Sequence, residues 1–323
     1  MLDEPDTTDS PLVSVIMPFL NPNRRFMKEA VESVLSQDYR PLEILAVDDG
    51  SGEKIDELIQ DWCAGDDVPL RLLHHDNGEN RGTSASRNLG VRHASGKYVA
   101  FLDADDIWLH GKIREQCAVM ESNESLNLVF GLTRYWFEWH ALGTGNGLDF
   151  TTRPGFRTTT VFSPPDYIAG MVRGRFLVPS ASNILARRDS VLDCGGFDEE
   201  FTDLYDDQVF VAKLALTGQV CAVPKLWDKY RQHDQSMTAL ARDFTDEPVA
   251  REKYMSWLGA FCSESNLQYP TLAEAVAKER WLASSAWTQI GSPAYRWLRW
   301  VKKWLLRAEE SVIPESLRWK YWN

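Results

Sequence analysis

The sequence predicts an α/β fold: a mostly parallel central sheet flanked by helices and followed by a helical C-terminal region. Short apolar runs alternate with segments of helical period over the first hundred residues, which predicts strands joined by right-handed crossovers. Two of these strands end directly in pairs of acids, and the chain beyond residue 240 is helical and rich in tryptophan. An open sheet with a binding site at its carboxyl edge accounts for these features.

The first half of the chain supplies most of this pattern. Apolar residues such as Met27, Val31 and Val34 recur at helical spacing, whereas the neighbouring apolar runs are short and β-branched. Strands are predicted at 13–17, 43–47, 70–73 and 97–102, and helices at 26–35, 55–62 and 82–91.

The second half is less regular. Residues 131–165 are rich in glycine, threonine and aromatic side chains, and they indicate either a binding loop or lid or a folded β excursion. Around them the sequence predicts helices at 112–121, 164–171 and 206–216, with a short helix ending at 194. It predicts strands at 128–130, 182–186 and 220–223, and another ending at 230–233.

Acids follow two of the predicted strands. Asp48 and Asp49 end the second strand, and Asp103 and Asp105 end the fourth. Because parallel strands end at the same edge of a sheet, both pairs can line one site, where carboxylates bind a hard divalent cation that in turn binds phosphate oxygens. For one such pair alone, a solvated turn or a helix cap is the favoured explanation of the acids.

Composition limits the partners and the cell compartment. The formal net charge of −12 argues against non-specific nucleic-acid binding, and five scattered cysteines without a Cys-x-x-Cys pair indicate reduced thiols. The acidic N-terminus lacks the shape of a signal peptide, and no apolar run approaches the roughly 20 residues that span a bilayer. We expect a cytoplasmic protein.

The segment 294–308 stands out in this acidic chain. Trp297, Trp300 and Trp304 fall on one helical face, and five basic residues occur among residues 296–307 without an acid between them. A basic amphipathic helix of this kind predicts peripheral contact with an anionic membrane surface, at the inner face of the membrane. Packing on the domain with a solvated basic face is the alternative.

Successive motifs resemble those of family 2 glycosyltransferases with the GT-A fold. They include Val-Asp-Asp-Gly-Ser at 47–51, Gly-Thr-Ser-Ala-Ser-Arg-Asn at 82–88 and Leu-Asp-Ala-Asp-Asp at 102–106. Five blocks in order cover residues 13–106, and weaker ones extend the likeness to about residue 240. The resemblance implies a GT-A domain at 11–240, with a nucleotide-binding half at 11–106 and an acceptor half at 107–240. A disordered leader at 1–10 precedes it, and a helical region at 241–323 follows.

The resemblance also implies a nucleotide-diphosphate sugar as donor and Mn²⁺ or Mg²⁺ as cofactor. Pro18, Phe19 and Asn21 would border the nucleotide. Asp49, and less directly Asp48, would accept hydrogen bonds from the base, which suits the imide N–H of uracil. The remaining donor contacts are Asp103 near the ribose, Asp105 as the direct metal ligand with Asp103 beside it, and Arg87 on the nucleotide; Arg87 is otherwise a surface cation.

Inverting transfer needs a base on the acceptor side of the sugar, and the family supplies it from an acidic pair at a helix start. Here that pair is Asp206 and Asp207, with Asp207 as the candidate base, although such acids also suit the helix dipole. His233 would reach the metal or the diphosphate, unless it is structural. Residues 315–319 are only faintly similar to the Gln-x-x-Arg-Trp motif of processive synthases, so we expect one sugar to be transferred per acceptor.

The predicted function is therefore metal-dependent, inverting transfer of one sugar, from a UDP-sugar, to a glycan or lipid-linked acceptor. Two alternatives remain open: a catalytically inactive membrane scaffold with the same fold, and a sugar-nucleotide nucleotidyltransferase. The second normally needs a glycine-rich loop, which residues 18–25 lack. A dehydrogenase is excluded more firmly, because no Gly-x-Gly-x-x-Gly follows the first strand.

Overall fold

The computed structural model describes residues 10–52, 56–137, 139, 149–152, 155–202, 204–233 and 247–284. The predicted leader, apart from residue 10, and the predicted basic helix at 294–308 lie outside these residues. The described strands are β1 (Val13–Phe19), β2 (Leu42–Asp48), β3 (Leu70–His74), β4 (Tyr98–Phe101), β5 (Ile107–Trp108), β6 (Leu126–Trp136), β7 (Phe150–Thr151), β8 (Thr160–Phe162), β9 (Leu185–Arg187) and β10 (Gln219–Arg231).

Helices surround this sheet. They are α1 (Arg24–Leu35), α2 (Asp56–Trp62), α3 (Thr83–His93), α4 (Lys112–Ser122), α5 (Asp166–Val172), α6 (Arg188–Asp193), α7 (Asp206–Thr217), α8 (Glu247–Glu264) and α9 (Pro270–Ser284). In the part of the chain that the structure describes, no helix combines the length and the apolar character needed to cross a bilayer.

The sheet is parallel in its first half. The strand order is β3–β2–β1–β4–β9–β6–β10–β5, with β7 beside β6 and β8 beside β10. Strand β1 pairs in parallel with β2 and β4, and every residue of these three strands is buried. Phe19 pairs with Asp48, and Ile16 with Phe101, so the three strands end at one edge. This common edge is the one that the sequence predicts.

The second half of the sheet is mixed. Strand β9 runs antiparallel to both β4 and β6, whereas β6 and β10 are parallel. The residues before β9 lie at the carboxyl end of β4, where the Ser182 hydroxyl contacts Asp103 and Asp106. Strand β9 therefore leads away from that edge. The sheet was predicted to be mostly parallel, and parallel pairing is found among β1 to β4 and between β6 and β10.

Two strands are longer than the sequence predicts. The strand expected at 128–130 continues to Trp136, into the segment expected to be irregular, which also contributes β7 and β8. The strands expected at 220–223 and before 233 form the single strand β10. Pro224 lies within β10, where register shifts between Ala222 and Asp228 interrupt the pairing with β6. A bulge accommodates the missing N–H of proline, so the strand is not broken.

The two faces of the sheet are covered by separate hydrophobic clusters. Successive strand residues point to opposite faces, so Val15 and Ile16 of β1 belong to different clusters. On one face, Met27 of α1 packs in the cluster of Val15; on the other, Val91 of α3 and Phe210 of α7 pack in that of Ile16. The result is a three-layer arrangement with the sheet in the middle.

The C-terminal helices α8 and α9 extend the second cluster. Four aromatic rings run from the start of α7 along α8: Tyr205 stacks on Tyr254 at 5.2 Å between ring centroids, Tyr254 on Trp257 at 6.2 Å, and Trp257 on Phe261 at 5.1 Å. We call this set the aromatic ladder. Tyr205 directly precedes α7 and has a positive φ of 73°, an uncommon conformation for a bulky residue. The ladder therefore supports the first turn of α7.

Alanine substitutions at Gly90 of α3 and, as a control, at Gly259 of α8 test how tightly α3 packs on the sheet. A Cβ at Gly90 of α3 would lie 2.5 Å from Ile16 Cγ2, so we expect Gly90→Ala to lower the free energy of unfolding by about 1–3 kcal/mol. At Gly259 of α8 no heavy atom lies within 4 Å. Gly259→Ala should therefore raise the free energy of unfolding by up to about 1 kcal/mol, because alanine has a higher helix propensity than glycine. Urea denaturation measures the free energy of unfolding of both variants. An unchanged value for Gly90→Ala would contradict the close contact between α3 and β1.

Candidate active site

The loops that follow β1 and β2 are joined at the carboxyl edge of the sheet. Pro18 and Phe19 end β1, and Asn21 lies just beyond them. The Asn21 N–H donates a hydrogen bond to Ser51 Oγ at 2.9 Å, and Asn21 Oδ1 accepts one from the Gly52 N–H at 2.8 Å. The three predicted nucleotide-bordering residues therefore lie against the acidic turn after β2.

The two acids of that turn have different environments. Asp48 Oδ1 accepts a hydrogen bond from the Ser51 N–H at 2.8 Å, so this side chain stabilises its own turn. Asp49 accepts from the N–H groups of Arg81 and Gly82, at 2.8 Å to 3.1 Å, and so anchors the loop before α3. Both acids are almost fully buried. The predicted contact of Asp49 with the base would use the lone pairs that remain, because a carboxylate has about four acceptor positions.

Arg87 joins acids from two distant parts of the chain. Its Nη2 lies 2.8 Å from Asp103 Oδ1, and its Nη1 lies 3.1 Å from Asp206 Oδ2 and 3.3 Å from Asp207 Oδ1. The Arg87 side chain is only 4% exposed, and its guanidinium lies 5.0 Å from the centroid of the Phe197 ring. The alternative that Arg87 is a surface cation is wrong, because the side chain is buried and contacts three carboxylates. Its contact with the nucleotide stays a prediction.

Burial and repulsion between carboxylates raise the pKa values of Asp103 and Asp207. Burial raises the pKa of Asp207, and the adjacent Asp206 carboxylate raises it further against the opposing effect of Arg87, to about 8. Burial also raises the pKa of Asp103; Arg87 opposes this and the Asp105 carboxylate reinforces it. Burial lowers the pKa of Arg87, but the three carboxylates outweigh it, so the guanidinium stays charged. Asp207 can therefore exchange a proton near neutral pH.

Asp105 and His233 form a second polar group in the same cleft. His233 Nε2 lies 2.9 Å from Asp105 Oδ2, and the two side chains are 15% and 31% exposed. The structure thus brings together two of the three residues predicted to bind a metal. The third, Asp103, follows the same strand but contacts Arg87.

Asp106 turns inward, unlike Asp105. It is fully buried, with Oδ2 accepting from the Ser182 hydroxyl at 2.7 Å and Oδ1 from the Arg231 N–H at 2.9 Å. Sequence reasoning gave no role to these three residues. Arg231 could have been noticed, because it stands two positions before His233, whereas nothing in the local sequence distinguishes Ser182.

The residues present fit a divalent cation that is shared with a diphosphate. Over the described ranges, no three His, Cys, Asp or Glu side chains form a complete metal site. Asp105 and His233 supply one carboxylate and one imidazole. Mg²⁺ commonly binds one or two carboxylates and completes its coordination with substrate phosphates and water. An incomplete protein site is therefore compatible with the predicted cofactor.

Comparison with known proteins shows that this chain is similar to glycosyltransferases. A family model described as Glycosyl transferase family 2 matches residues 14–174. An uncharacterized glycosyltransferase of Rickettsia felis is 43% identical over 123 residues, which are 38% of this chain and 19% of that protein. WfgD of Escherichia coli, a UDP-Glc:alpha-D-GlcNAc-diphosphoundecaprenol beta-1,3-glucosyltransferase, is 32% identical over 123 residues, 38% of this chain and 46% of that protein. The chain matches less than half the length of either relative.

A solved structure extends the comparison to the fold. S. aureus TarS 1–349, in complex with UDP-GlcNAc, aligns with a TM-score of 0.64 at 18% sequence identity, over 84% of this chain and 73% of that chain. The parallel half-sheet, the acids at its edge and this likeness define a GT-A fold of the glycosyltransferase class. Together with the family match, they show that the chain belongs to glycosyltransferase family 2.

Removing the Arg87 cation should leave three partly buried carboxylates without a counter-charge. We expect Arg87→Met to lower the free energy of unfolding by about 3–5 kcal/mol at pH 8. Without the cation, the folded-state pKa values of Asp103 and Asp207 rise further above the unfolded value of about 3.9. The destabilisation therefore grows as the pH rises from the unfolded pKa to the raised folded-state pKa. The loss should therefore be smaller at pH 5, as urea denaturation at both pH values would measure.

Arg81→Met is the matched control. Arg81 Nη2 lies 3.8 Å from Glu199 Oε2 and the side chain is 54% exposed, so the same substitution should change stability by less than about 1 kcal/mol. Equal losses for the two variants, or a loss at Arg87 that is independent of pH, would contradict the burial of this charge cluster.

Proposed function

We propose that this protein is a metal-dependent, inverting glycosyltransferase that moves one sugar from a UDP-sugar to a hydroxyl of a glycan or lipid-linked acceptor. The observation that carries the proposal is the convergence of Asp103, Asp206 and Asp207 on Arg87, beside the Asp105–His233 pair, at the carboxyl edge of the parallel strands. The raised pKa of Asp207, about 8, suits a general base that takes a proton near neutral pH.

The chemistry assigned to this cleft is a single displacement. Asp207 accepts the proton of the acceptor hydroxyl, whose oxygen forms a bond to the anomeric carbon while the bond from that carbon to the diphosphate oxygen breaks. The diphosphate leaves with the bonding electron pair on the opposite face, which inverts the configuration. A divalent cation held by Asp105 and His233 would neutralise the developing charge on the diphosphate.

The donor half of the proposal draws on the first two loops. Pro18, Phe19 and Asn21 line the turn in which the base would lie, and Asp49 at its edge offers an acceptor to an imide N–H. TarS 1–349 was solved with UDP-GlcNAc, and WfgD is named as a UDP-Glc enzyme. Both names favour a uridine nucleotide for this chain as well.

The acceptor half draws on one relative and on the sequence. WfgD is named for a diphosphoundecaprenol-linked acceptor, which favours a lipid-linked glycan here. The basic, tryptophan-rich segment at 294–308 supports the same reading, since it predicts contact with an anionic membrane surface.

Two isosteric substitutions separate the proposed roles. Asp105→Asn should abolish transfer and weaken the binding of UDP-sugar in the presence of Mn²⁺. Asp207→Asn should lower kcat by at least about 10²-fold, because the base is lost, while donor affinity stays within a few-fold of the wild type. Sugar-nucleotide turnover with Mn²⁺, Mg²⁺ or EDTA, together with calorimetric titration of donors, measures both.

Asp189→Asn provides the control, since this α6 carboxylate is 83% exposed and lies only near Arg188. It should leave turnover and binding unchanged. Full activity in Asp207→Asn would remove that residue from the mechanism, and a wild-type protein that neither binds nor turns over any nucleotide sugar would favour the inactive scaffold.

The raised pKa of Asp207 sets a pH dependence for the reaction. The base acts only when it is deprotonated, so kcat/KM should rise with a slope near one in log units below about pH 8 and level off above it. Initial rates between pH 5.5 and 9.5 at low donor concentration measure this profile. A rate that already reaches its plateau at pH 6 would contradict Asp207 as the base.

A further inference from the structure

Arg231, the last residue of β10, lies behind the acidic loop and is fully buried. We propose that Arg231 is a positioning residue, which holds the main chain of Asp105 against helix α1 so that Asp105 and His233 form a preformed pair of cation ligands. The inference rests on the proposed function only for the cation itself; the contacts of Arg231 with the loop are features of the protein alone.

Arg231 fixes the acidic loop through two separate hydrogen bonds. Its Nε–H donates to the Asp105 carbonyl oxygen at 2.7 Å, and its own main-chain N–H donates to Asp106 Oδ1 at 2.9 Å. On the other side of the loop, the Ser182 hydroxyl donates to Asp106 Oδ2 and accepts from the Asp103 N–H. The peptide that carries the Asp105 side chain is thus held by the Arg231 side chain, while Asp106 is held from both sides.

The guanidinium itself is locked in place by α1 and three aromatic rings. Its Nη2 donates to Glu29 Oε2 at 2.6 Å. Phe26, Trp136 and Trp139 surround it with ring centroids at 4.3, 4.6 and 5.4 Å from the Arg231 Cζ. A planar, permanently charged group suits such an aromatic enclosure, and a lysine ammonium cannot reproduce the two directed contacts of Nε and Nη2.

The same enclosure reaches His233. Phe26 contacts the His233 ring at 5.4 Å between centroids, and Trp139 Nε1–H donates to the carbonyl oxygen of Gln232 at 2.8 Å. Helix α1 therefore supports both members of the Asp105–His233 pair, one through Arg231 and the other through Phe26. Residues that orient metal ligands in this way commonly change metal affinity or activity by about 10–100-fold when they are altered.

The test is Mn²⁺ titration of the full chain, both alone and with UDP present to supply the phosphate ligands, by calorimetry and by electron paramagnetic resonance of free Mn²⁺. Arg231→Lys keeps the charge but loses the planar guanidinium with its Nε–H and Nη2–H donors. It should weaken Mn²⁺ binding by about tenfold or more. Glu29→Gln, which keeps Arg231 and alters only its anchor on α1, should weaken binding by several-fold. The matched control is Arg25→Gln: Arg25 Nε also contacts Glu29, at 2.8 Å, but its side chain is 67% exposed. This variant should bind Mn²⁺ within twofold of the wild type.

Amide hydrogen exchange of residues 103–108 gives a second readout that needs no cation. In Arg231→Lys and Glu29→Gln these amides should exchange faster than in the wild type and in Arg25→Gln. A folded Arg231→Lys variant with lower thermal stability but unchanged Mn²⁺ affinity and loop exchange would show a merely structural role and overturn the inference. If Arg231→Lys does not fold, a Glu29→Gln variant with unchanged Mn²⁺ affinity and unchanged amide exchange at residues 103–108 overturns the inference equally.

Failure of the proposed function gives a different result. A wild-type protein that turns over a nucleotide sugar in EDTA, and that does not bind Mn²⁺ even with UDP present, contradicts metal dependence and with it the cation-ligand part of the inference. A wild-type protein that binds Mn²⁺, with Arg231 variants that bind it equally well, contradicts the positioning role alone.

Discussion

The contact between the Arg87 guanidinium and three carboxylates is the interaction on which the rest of the site depends. Asp103 follows β4 in the parallel half of the sheet, whereas Asp206 and Asp207 start a helix more than a hundred residues later. Brought together without a cation, these acids would repel one another and lose their hydration. One buried arginine offsets both effects, and so it allows the end of β4 and the start of α7 to approach across the cleft.

The acids of the cleft have different neighbours. Burial and the Asp206 carboxylate favour the protonated form of Asp207, whereas Asp105 pairs with His233. A carboxyl whose pKa lies near the pH of the medium suits proton transfer. A carboxylate such as Asp105 suits a hard cation. The division arises from position within the fold, since the residue type is the same.

Much of this arrangement could be predicted from the sequence, because it follows from local pattern. Strand ends, helix periods and the acids at 48–49 and 103–105 are all written in short segments, and parallel strands necessarily share an edge. The partners of Arg87 could not be predicted, since they depend on how α7 packs on α3. The continuity of β10 through Pro224 could not be predicted for a related reason. Proline usually ends a strand, but here a bulge against the neighbouring strand β6 accommodates it.

The aromatic ladder has a consequence for how this enzyme family can be divided and recombined. The ladder residues of α8 lie well beyond the segment 14–174 that matches the family model. They nevertheless stack in series on Tyr205, which directly precedes the acidic pair of α7. The segment that matches the family model therefore does not contain all the contacts that support α7 in this chain. Chimaeras with other members of the family should be joined beyond residue 264, so that the acidic pair of α7 stays with the helix that supports it.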